Sequence, residues 1–504
     1  MDELWRNPEF VRRRRMELRP ARMVIAASIS TLLCLLLLLL IQQMDGSAKE
    51  HVAAFYTTLV VVQALVLCLT CLSACGQAIS SERSLKTYDF LRTTRLTSAE
   101  LLFGMIFGAP VMGYYLLACT LPFSLISGLI AGFPVPAIIA TYFLMLLVAV
   151  VMSLIALTSS MVTEKPRPGE LLVVLLLFGG PLVASLAAFD EYSPFPAVRA
   201  LLVLPGLFPL YQAEASPVAE TTASFFGVQT PLLLISVVLY ASFGAWLVVA
   251  LLRNLKKERN EILLLSRWQG IGFSAYLNIL AFGLLDLRTA RVGSKFLQAW
   301  TPEDITTGYL SLNFVILYAI GLAMLTPPER LKSWARQPRH GLVSYFAEDG
   351  PSWPWMLVAA ALALLVLCAE AVMGSRVVSL NQWPIGMATL RLCVLLVFAV
   401  RDLLFMQLCT LTKMKRPVAS ALFFLILYYV VAATIADVMT EGNGHQFFSA
   451  MQLFTPAAGF SPTVSPLALA GLVPQIVVVA FLLQAIQQRL ARPARFAVAA
   501  SAAE

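Results

Sequence analysis

An all-α polytopic membrane protein of about twelve transmembrane helices is the fold class this sequence predicts, and three observations predict it. Of the 504 residues, 59% are hydrophobic and only 13% charged, with a mean hydropathy of +0.81. Soluble domains run near 45–50% apolar and about 25% charged, so an ordinary soluble enzyme, a disordered chain and a nucleic-acid binder are all excluded. Apolar runs of the roughly 20 residues needed to cross a hydrocarbon core recur along the whole length. Finally, the basic residues behind the net charge of +8 are segregated between alternate loops.

Taken in order, the candidate spans are residues 22–42, 53–79, 103–131, 135–161, 170–189, 230–252, 270–287, 306–325, 354–374, 385–411, 417–438 and 466–487. The first follows Arg12 to Arg15, Arg19 and Arg22, and its apolar run is too long for a cleaved leader, so it reads as a signal anchor. Gly179-Gly180-Pro181 interrupts the fifth, and the short seventh carries Asn278. The apolar run of the tenth can also end near Val400, which would leave Arg401 to Arg416 as an amphipathic surface helix.

Lys and Arg set the threading. With the N-terminus inside, the inward segments hold 28 of the 36 basic residues and the outward loops hold 6. Such asymmetry is what the positive-inside rule requires. Both termini are therefore expected in the cytoplasm, residues 190–230 outside, and the basic surface against anionic inner-leaflet lipid. A bacterial-type cytoplasmic (inner) membrane suits this pattern.

The eight cysteines all lie in or beside apolar segments, so a disulfide framework is not expected. Cys68, Cys71 and Cys75 share a helical face but have no His or acid beside them, and they read as small buried hydrophobes rather than metal ligands. His51, His340 and His445 are far apart, which leaves no metal set and no catalytic base. Charges inside the membrane are usually functional or paired. Arg391, Arg401 and Asp402 are the candidates, together with Glu370 and Asp437. Arg391 and Glu370 are placed to snorkel outward, whereas Arg401 and Asp402, as neighbours on a helix, point different ways and call for other partners.

The stretch from Ile79 to Gly104 joins two spans through about twenty charged and polar residues. Leu85, Tyr88, Leu91 and Leu96 give it an apolar side at nearly helical spacing. Thr97-Ser98-Ala99-Glu100 then has the capping-box pattern that restarts a helix. An amphipathic helix on the inner surface fits these residues, and so does a connector resting on lipid headgroups.

This stretch resembles the segment that follows the second membrane helix in the permeases of type-two ATP-binding-cassette (ABC) exporters. That segment has the form E-R-E-x-G-T-L-E-x-L-x-x-T-P-L-S-x-x-E-I-L-x-G-K. The chain matches it at Glu82, Arg83, Thr87, Leu91, Thr94, Leu96, Glu100, Leu102 and Gly104, with Asp89 and Thr97 as conservative replacements. It departs at Ser84, Lys86, Tyr88, Arg95 and Met105, where the family tends to have Glu, Gly, Leu, Pro and Lys. Asn7-Pro8-Glu9-Phe10 and the basic residues after it look like the family's connecting helix, and the loop of residues 190–230 lies where such permeases carry external helices and a re-entrant element.

The resemblance covers residues 1–260 and implies a six-helix permease domain whose coupling helix, residues 80–100, docks a separate ATPase. It implies that Glu82, Arg83, Lys86, Thr87, Asp89, Leu91, Thr94, Leu96 and Glu100 form the docking element, with Leu91 and Leu96 as anchors. No G-x-x-x-x-G-K-[ST] occurs, so the chain has no P-loop of its own. No catalytic residue, cofactor or metal is therefore expected in this chain, and ATP and Mg would be held by the partner ATPase, in two copies.

Residues 261–504 again hold six spans and read as a second membrane domain, possible as a degenerate repeat. Pro327 to Arg336, followed by Tyr345 to Asp349, would be its coupling segment, and the loop from Thr440 to Pro466 parallels that of residues 190–230. Two architectures follow: a pseudo-dimer within one chain, which equal span numbers favour slightly, or a homodimer with accessory second halves. An ion-coupled secondary transporter or a membrane scaffold without an ATPase is the rival reading. Substrate and direction of transport are not legible.

Overall fold

The computed structural model describes residues 7–43, 47–162, 222–225, 228–257, 262, 265–286, 302–336, 345–373, 385–412, 414, 417–439, 450–460 and 466–501. The expected fifth span, the external loop of residues 190–221 and the loop from Thr440 to Ser449 lie outside the described residues, as do His340 and His445. What is described is helical apart from one hairpin, and it forms an all-α integral membrane protein. Eight helices are long and apolar enough to cross a membrane, or nine if a bent pair is counted as one span. The expected count of twelve is thus not reached among the described residues. The chain divides into two compact units, one made of the described residues up to Ile262 and the other of those beyond it.

In the first unit the helices are α1 (Pro8–Glu17), α2 (Pro20–Gln42), α3 (Ala48–Ser84), α4 (Tyr88–Thr93), α5 (Ser98–Gly108), α6 (Val111–Ala131), α7 (Val135–Val162) and α8 (Leu232–Asn254). Before α8, the strands β1 (Thr222–Phe225) and β2 (Val228–Pro231) pair antiparallel with Thr222 opposite Pro231. At 37 residues α3 is the organising helix, about 55 Å long at 1.5 Å per residue. It starts with a capping box between Ser47 and Glu50, and it buries Tyr56, Val60, Gln63, Leu67, Cys71 and Cys75 at three- and four-residue intervals. In the apolar interior a polar clasp joins three helices: Gln63 Nε2 donates to Thr120 Oγ1 at 2.9 Å, and Tyr142 OH donates to Gln63 Oε1 at 2.9 Å. In contrast, α2 leaves Val24, Ile25, Leu32, Leu33 and Leu36 exposed, the pattern of a lipid-facing helix.

The expected span 103–131 is not one helix. It breaks between α5 and α6 at Ala109-Pro110, because Pro110 brings no N–H and its ring blocks continuation of the preceding helix.

The second unit contains α9 (Arg267–Asp286), α10 (Pro302–Ala323), α11 (Pro328–Arg336), α12 (Trp353–Met373), α13 (Ile385–Thr410), α14 (Pro417–Met439), α15 (Ala457–Phe460) and α16 (Pro466–Ser501). Its axis is α13, the most enclosed of the spanning helices, which packs its Ala399, Leu403, Leu404 and Met406 into one core with Leu317, Met356 and Leu482. This helix runs unbroken to Thr410, so no separate surface helix starts at Arg401. Asn278 is buried and satisfied, accepting from Tyr309 OH at 2.7 Å and Asn313 Nδ2 at 2.6 Å. The chain bends by 74° between α10 and α11. On α11, Leu331 and Trp334 are buried while Glu329 and Lys332 are exposed, so this short helix lies with its apolar side against the unit.

Candidate functional site

The junction from α3 to α5 is built by helix-end chemistry. At the end of α3 the Thr87 amide donates to Glu82 O at 2.9 Å and the Lys86 amide to Arg83 O at 3.0 Å. This is a Schellman ending, and it requires one residue in the left-handed region. Lys86 occupies that place with φ of 59°. The chain then makes the single short helix α4, which Thr94 closes by donating Oγ1 to Leu91 O at 2.7 Å. Three residues later the expected capping box forms, with the Glu100 amide on Thr97 Oγ1 at 3.2 Å and the Thr97 amide on Glu100 Oε2 at 2.7 Å. These contacts with the Thr97 amide and hydroxyl hold the Glu100 carboxyl below its ordinary range.

The segment is tied down from within. Tyr88 is buried and its hydroxyl donates to Leu255 O just beyond α8 at 2.5 Å. The Arg83 guanidinium lies 4.8 Å from the Tyr88 ring centre and donates to Met161 O at 2.5 Å. Leu91 is also buried by its own chain, at 7% exposure. It is therefore not available as the partner-facing anchor expected from its spacing, and Leu96 is half-buried. The large apolar side chains left outside are Leu85 and Phe90, at 72% and 73% exposure. Spacing put Leu85, Tyr88, Leu91 and Leu96 on one apolar side, but Tyr88 and Leu91 pack inward, and Leu85 is presented together with Phe90.

Helix α1 clamps the same junction. Asn7 caps it, accepting from the amides of Glu9 and Phe10, and also donates Nδ2 to Glu100 O at 2.5 Å. Pro8 takes the first helical position, where its missing N–H costs nothing. Glu9 is almost fully enclosed and receives Arg12 Nε at 2.9 Å and Arg13 Nε at 2.6 Å. Arg12 Nη2 continues to Glu82 Oε1 at 2.6 Å, and Arg13 Nη2 lies 3.9 Å from the same oxygen. Thr87 Oγ1 donates to the other Glu82 oxygen at 2.5 Å. The Glu9 carboxylate raises the pKa of Arg12, with burial opposing and Glu82 adding to the rise. Close approach depends on Gly104, where a Cβ would meet Glu9 Cβ at 2.8 Å and the Phe10 amide nitrogen at 3.1 Å.

Of the nine expected docking residues, then, Glu82, Arg83 and Leu91 hold the junction together from inside the chain, and Thr87 and Thr94 shape its turns. Lys86, Asp89 and Glu100 are exposed. The network between Asn7, Glu9, Arg12, Arg13 and Glu82 is not legible from spacing, since its ends are about seventy residues apart.

Among the described side chains of the second unit, the intramembrane charges Arg391, Arg401 and Asp402 are buried, and Arg391 does not snorkel outward as expected. Arg391 is fully buried, donating Nε to Gly459 O at 3.0 Å and Nη2 to Thr307 Oγ1 at 2.8 Å. Arg401 and Asp402 pair with each other, Nη2 to Oδ1 at 2.6 Å, contrary to the expectation that neighbours diverge. A long guanidinium stem can fold back along the helix where a shorter chain cannot. Gln475 Oε1 accepts from Arg401 at 2.5 Å, Tyr429 OH donates to Asp402 Oδ2 at 2.6 Å, and Tyr318 OH donates to the same oxygen. Tyr318, Asp402 and Tyr429 also line a cleft of about 470 Å³ between α10, α13 and α14. The side chains of Glu370 and Asp437 lie outside the described residues.

Among the described residues no group of three or more His, Cys, Asp or Glu could hold a metal ion. No protein-family model, curated protein or solved structure matches the chain. Fold and site define a class: a polytopic helical membrane protein with a clamped surface junction that presents two apolar side chains.

Proposed function

We propose that this chain is the membrane-spanning permease subunit of an ATP-driven exporter, and that the junction from Glu82 to Glu100 docks a separate ATPase on the cytoplasmic side. The observation that carries the proposal is the exposed Phe90 on a short helix that its own chain holds rigidly in place. Large apolar side chains on a fixed surface are the usual anchors of protein interfaces. Two further points support the reading. Lys86 stands where the resembling family tends to have Gly, and its φ of 59° is the conformation that glycine favours. The 28-to-6 distribution of basic residues over the expected threading supports an inner-side position for the junction and both termini. The chain supplies the pathway, and its partner supplies the P-loop, ATP and Mg.

Tagged protein isolated from its native membrane is expected to retain a P-loop ATPase subunit. Phe90→Asp is expected to weaken that retention about thirtyfold, the loss of one interface hot spot. Arg95→Ala, at an exposed charge, should weaken it less than about fivefold. If Phe90→Asp and Leu85→Asp variants of parental stability both retain the ATPase as the parent does, the docking assignment is wrong.

A second reading, an ion-coupled secondary transporter, is favoured by the enclosed Arg401–Asp402 pair with its two tyrosines, since acids in such settings relay ions. It predicts that the purified protein carries no ATPase and that Asp402→Asn abolishes ion-driven uptake.

A further inference from the structure

The corner where α1 turns into α2 carries arginines that the clamp does not use. Of the run Arg12 to Arg15, Arg12 and Arg13 are committed to Glu9 and Glu82. Arg14 and Arg15 are exposed, as are Arg19 between the helices and Arg22 in the first turn of α2. Glu17 is the one acid within residues 14–22, 3.6 Å from Arg22. Four Arg against one Glu leave a net +3 on this stretch. Among the described residues no carboxylate pairs with Arg14, Arg15 or Arg19.

The corner cannot roll over to bring these charges to the acids inside, because α1 is pressed against α5. A Cβ on Gly104 would stand 2.8 Å from Glu9 Cβ, and one on Gly108 would stand 3.2 Å from Arg13 Cβ. Apolar surface begins directly beside the charges. Met16 is exposed among them, and Val24 and Ile25 open the lipid-facing run of α2 at 66% and 58% exposure. Arg22 precedes Ile25 by one turn, about 4.5 Å of helix rise. That places the cluster at the edge of the hydrocarbon, where lipid phosphates lie. A soluble anion would satisfy the arginines and leave the adjoining apolar side chains bare.

We infer that this corner holds an anionic phospholipid, its phosphate among the exposed arginines and its acyl chains along Val24 and Ile25. Basic clusters just outside a spanning helix attract such lipids, by about fivefold for each residue near the surface. A zwitterionic headgroup brings its own ammonium and gains less. The site depends neither on an ATPase at the junction nor on the threading of the chain.

The probe is palmitoyl-oleoyl-phosphatidylglycerol, set against phosphatidylcholine with the same acyl chains. Immobilised full chain is washed with dodecyl maltoside micelles holding equal amounts of both, and the lipids retained on elution are counted by mass spectrometry. The parent should retain the anionic lipid over the zwitterionic one by about fivefold or more. Arg14→Gln, Arg15→Gln and Arg19→Gln together, none of them in the clamp, should bring that ratio below about twofold. Because the ratio is read within one variant, a change in stability does not imitate it. Arg95→Gln with Lys332→Gln and Arg336→Gln removes the same charge from other exposed positions and should leave the parental ratio. Inorganic phosphate, compared with chloride at equal ionic strength, should not displace the lipid. Equal retention of the two lipids by the parent would overturn the inference. So would an equal fall in both triple variants, or displacement by phosphate.

Discussion

Replacing Glu9 by Ala should release α1 from the junction, and the expected size follows from the geometry. Glu9 is enclosed and bonds both Arg12 and Arg13, at 2.9 and 2.6 Å. The Arg13 side chain is only 10% exposed, so removing its partner strands a largely buried charge. Breaking a buried pair from one side costs about 3–5 kcal/mol. Glu82, 3.9 Å from Arg13 Nη2, compensates in part, which brings the estimate to about 2–3 kcal/mol. Since 1.4 kcal/mol is a factor of ten, the undocked population of α1 should rise about 30- to 150-fold. Trypsin cleavage after Arg14 or Arg15 reads that population when docking is fast relative to cleavage. By contrast, Arg12 has 40% of its side chain exposed, so Arg12→Ala should raise cleavage less than about fivefold. Cleavage of the Glu9→Ala variant within threefold of the parent, in protein of parental overall stability, would refute the network as the clamp.

Gly104→Leu should release α1 by a different route, since overpacking against Glu9 and Phe10 costs about 1–3 kcal/mol, and the same cleavage assay reads it. Asp402→Ala leaves Arg401 enclosed without its carboxylate and should lower thermal stability by about 3–5 kcal/mol, whereas a loss under 1 kcal/mol would show the pair to be solvated. Because Thr97 lowers the Glu100 pKa on folding, the capping contribution is complete above the ordinary glutamate range and is lost as pH falls through the depressed value. Protection factors at the start of α5, taken against the intrinsic exchange rate at each pH, should therefore fall on acidification in the parent and change less in Glu100→Gln. A cysteine label at Ser216 should react in intact cells. Reaction only after permeabilisation would reverse the proposed threading.

The sequence by itself determined the class, because composition and run length are one-dimensional quantities that a bilayer reads directly. It also determined the local helix signals: Asn7-Pro8 at the start of α1, Thr97 with Glu100 at the start of α5, and the positions of most of the apolar helices. These features depend on residues within one or two turns of each other. Only the tertiary structure decided which side of α4 faces inward, since burial of Tyr88 depends on a carbonyl 167 residues away at Leu255. It likewise decided that Arg391 turns inward and that Arg401 folds back on its neighbour Asp402, because in both cases the choice rests on polar groups contributed by other helices. Spacing along one helix says which residues share a side. What that side meets is set by packing, and packing moved the exposed anchor from Leu91 to Phe90.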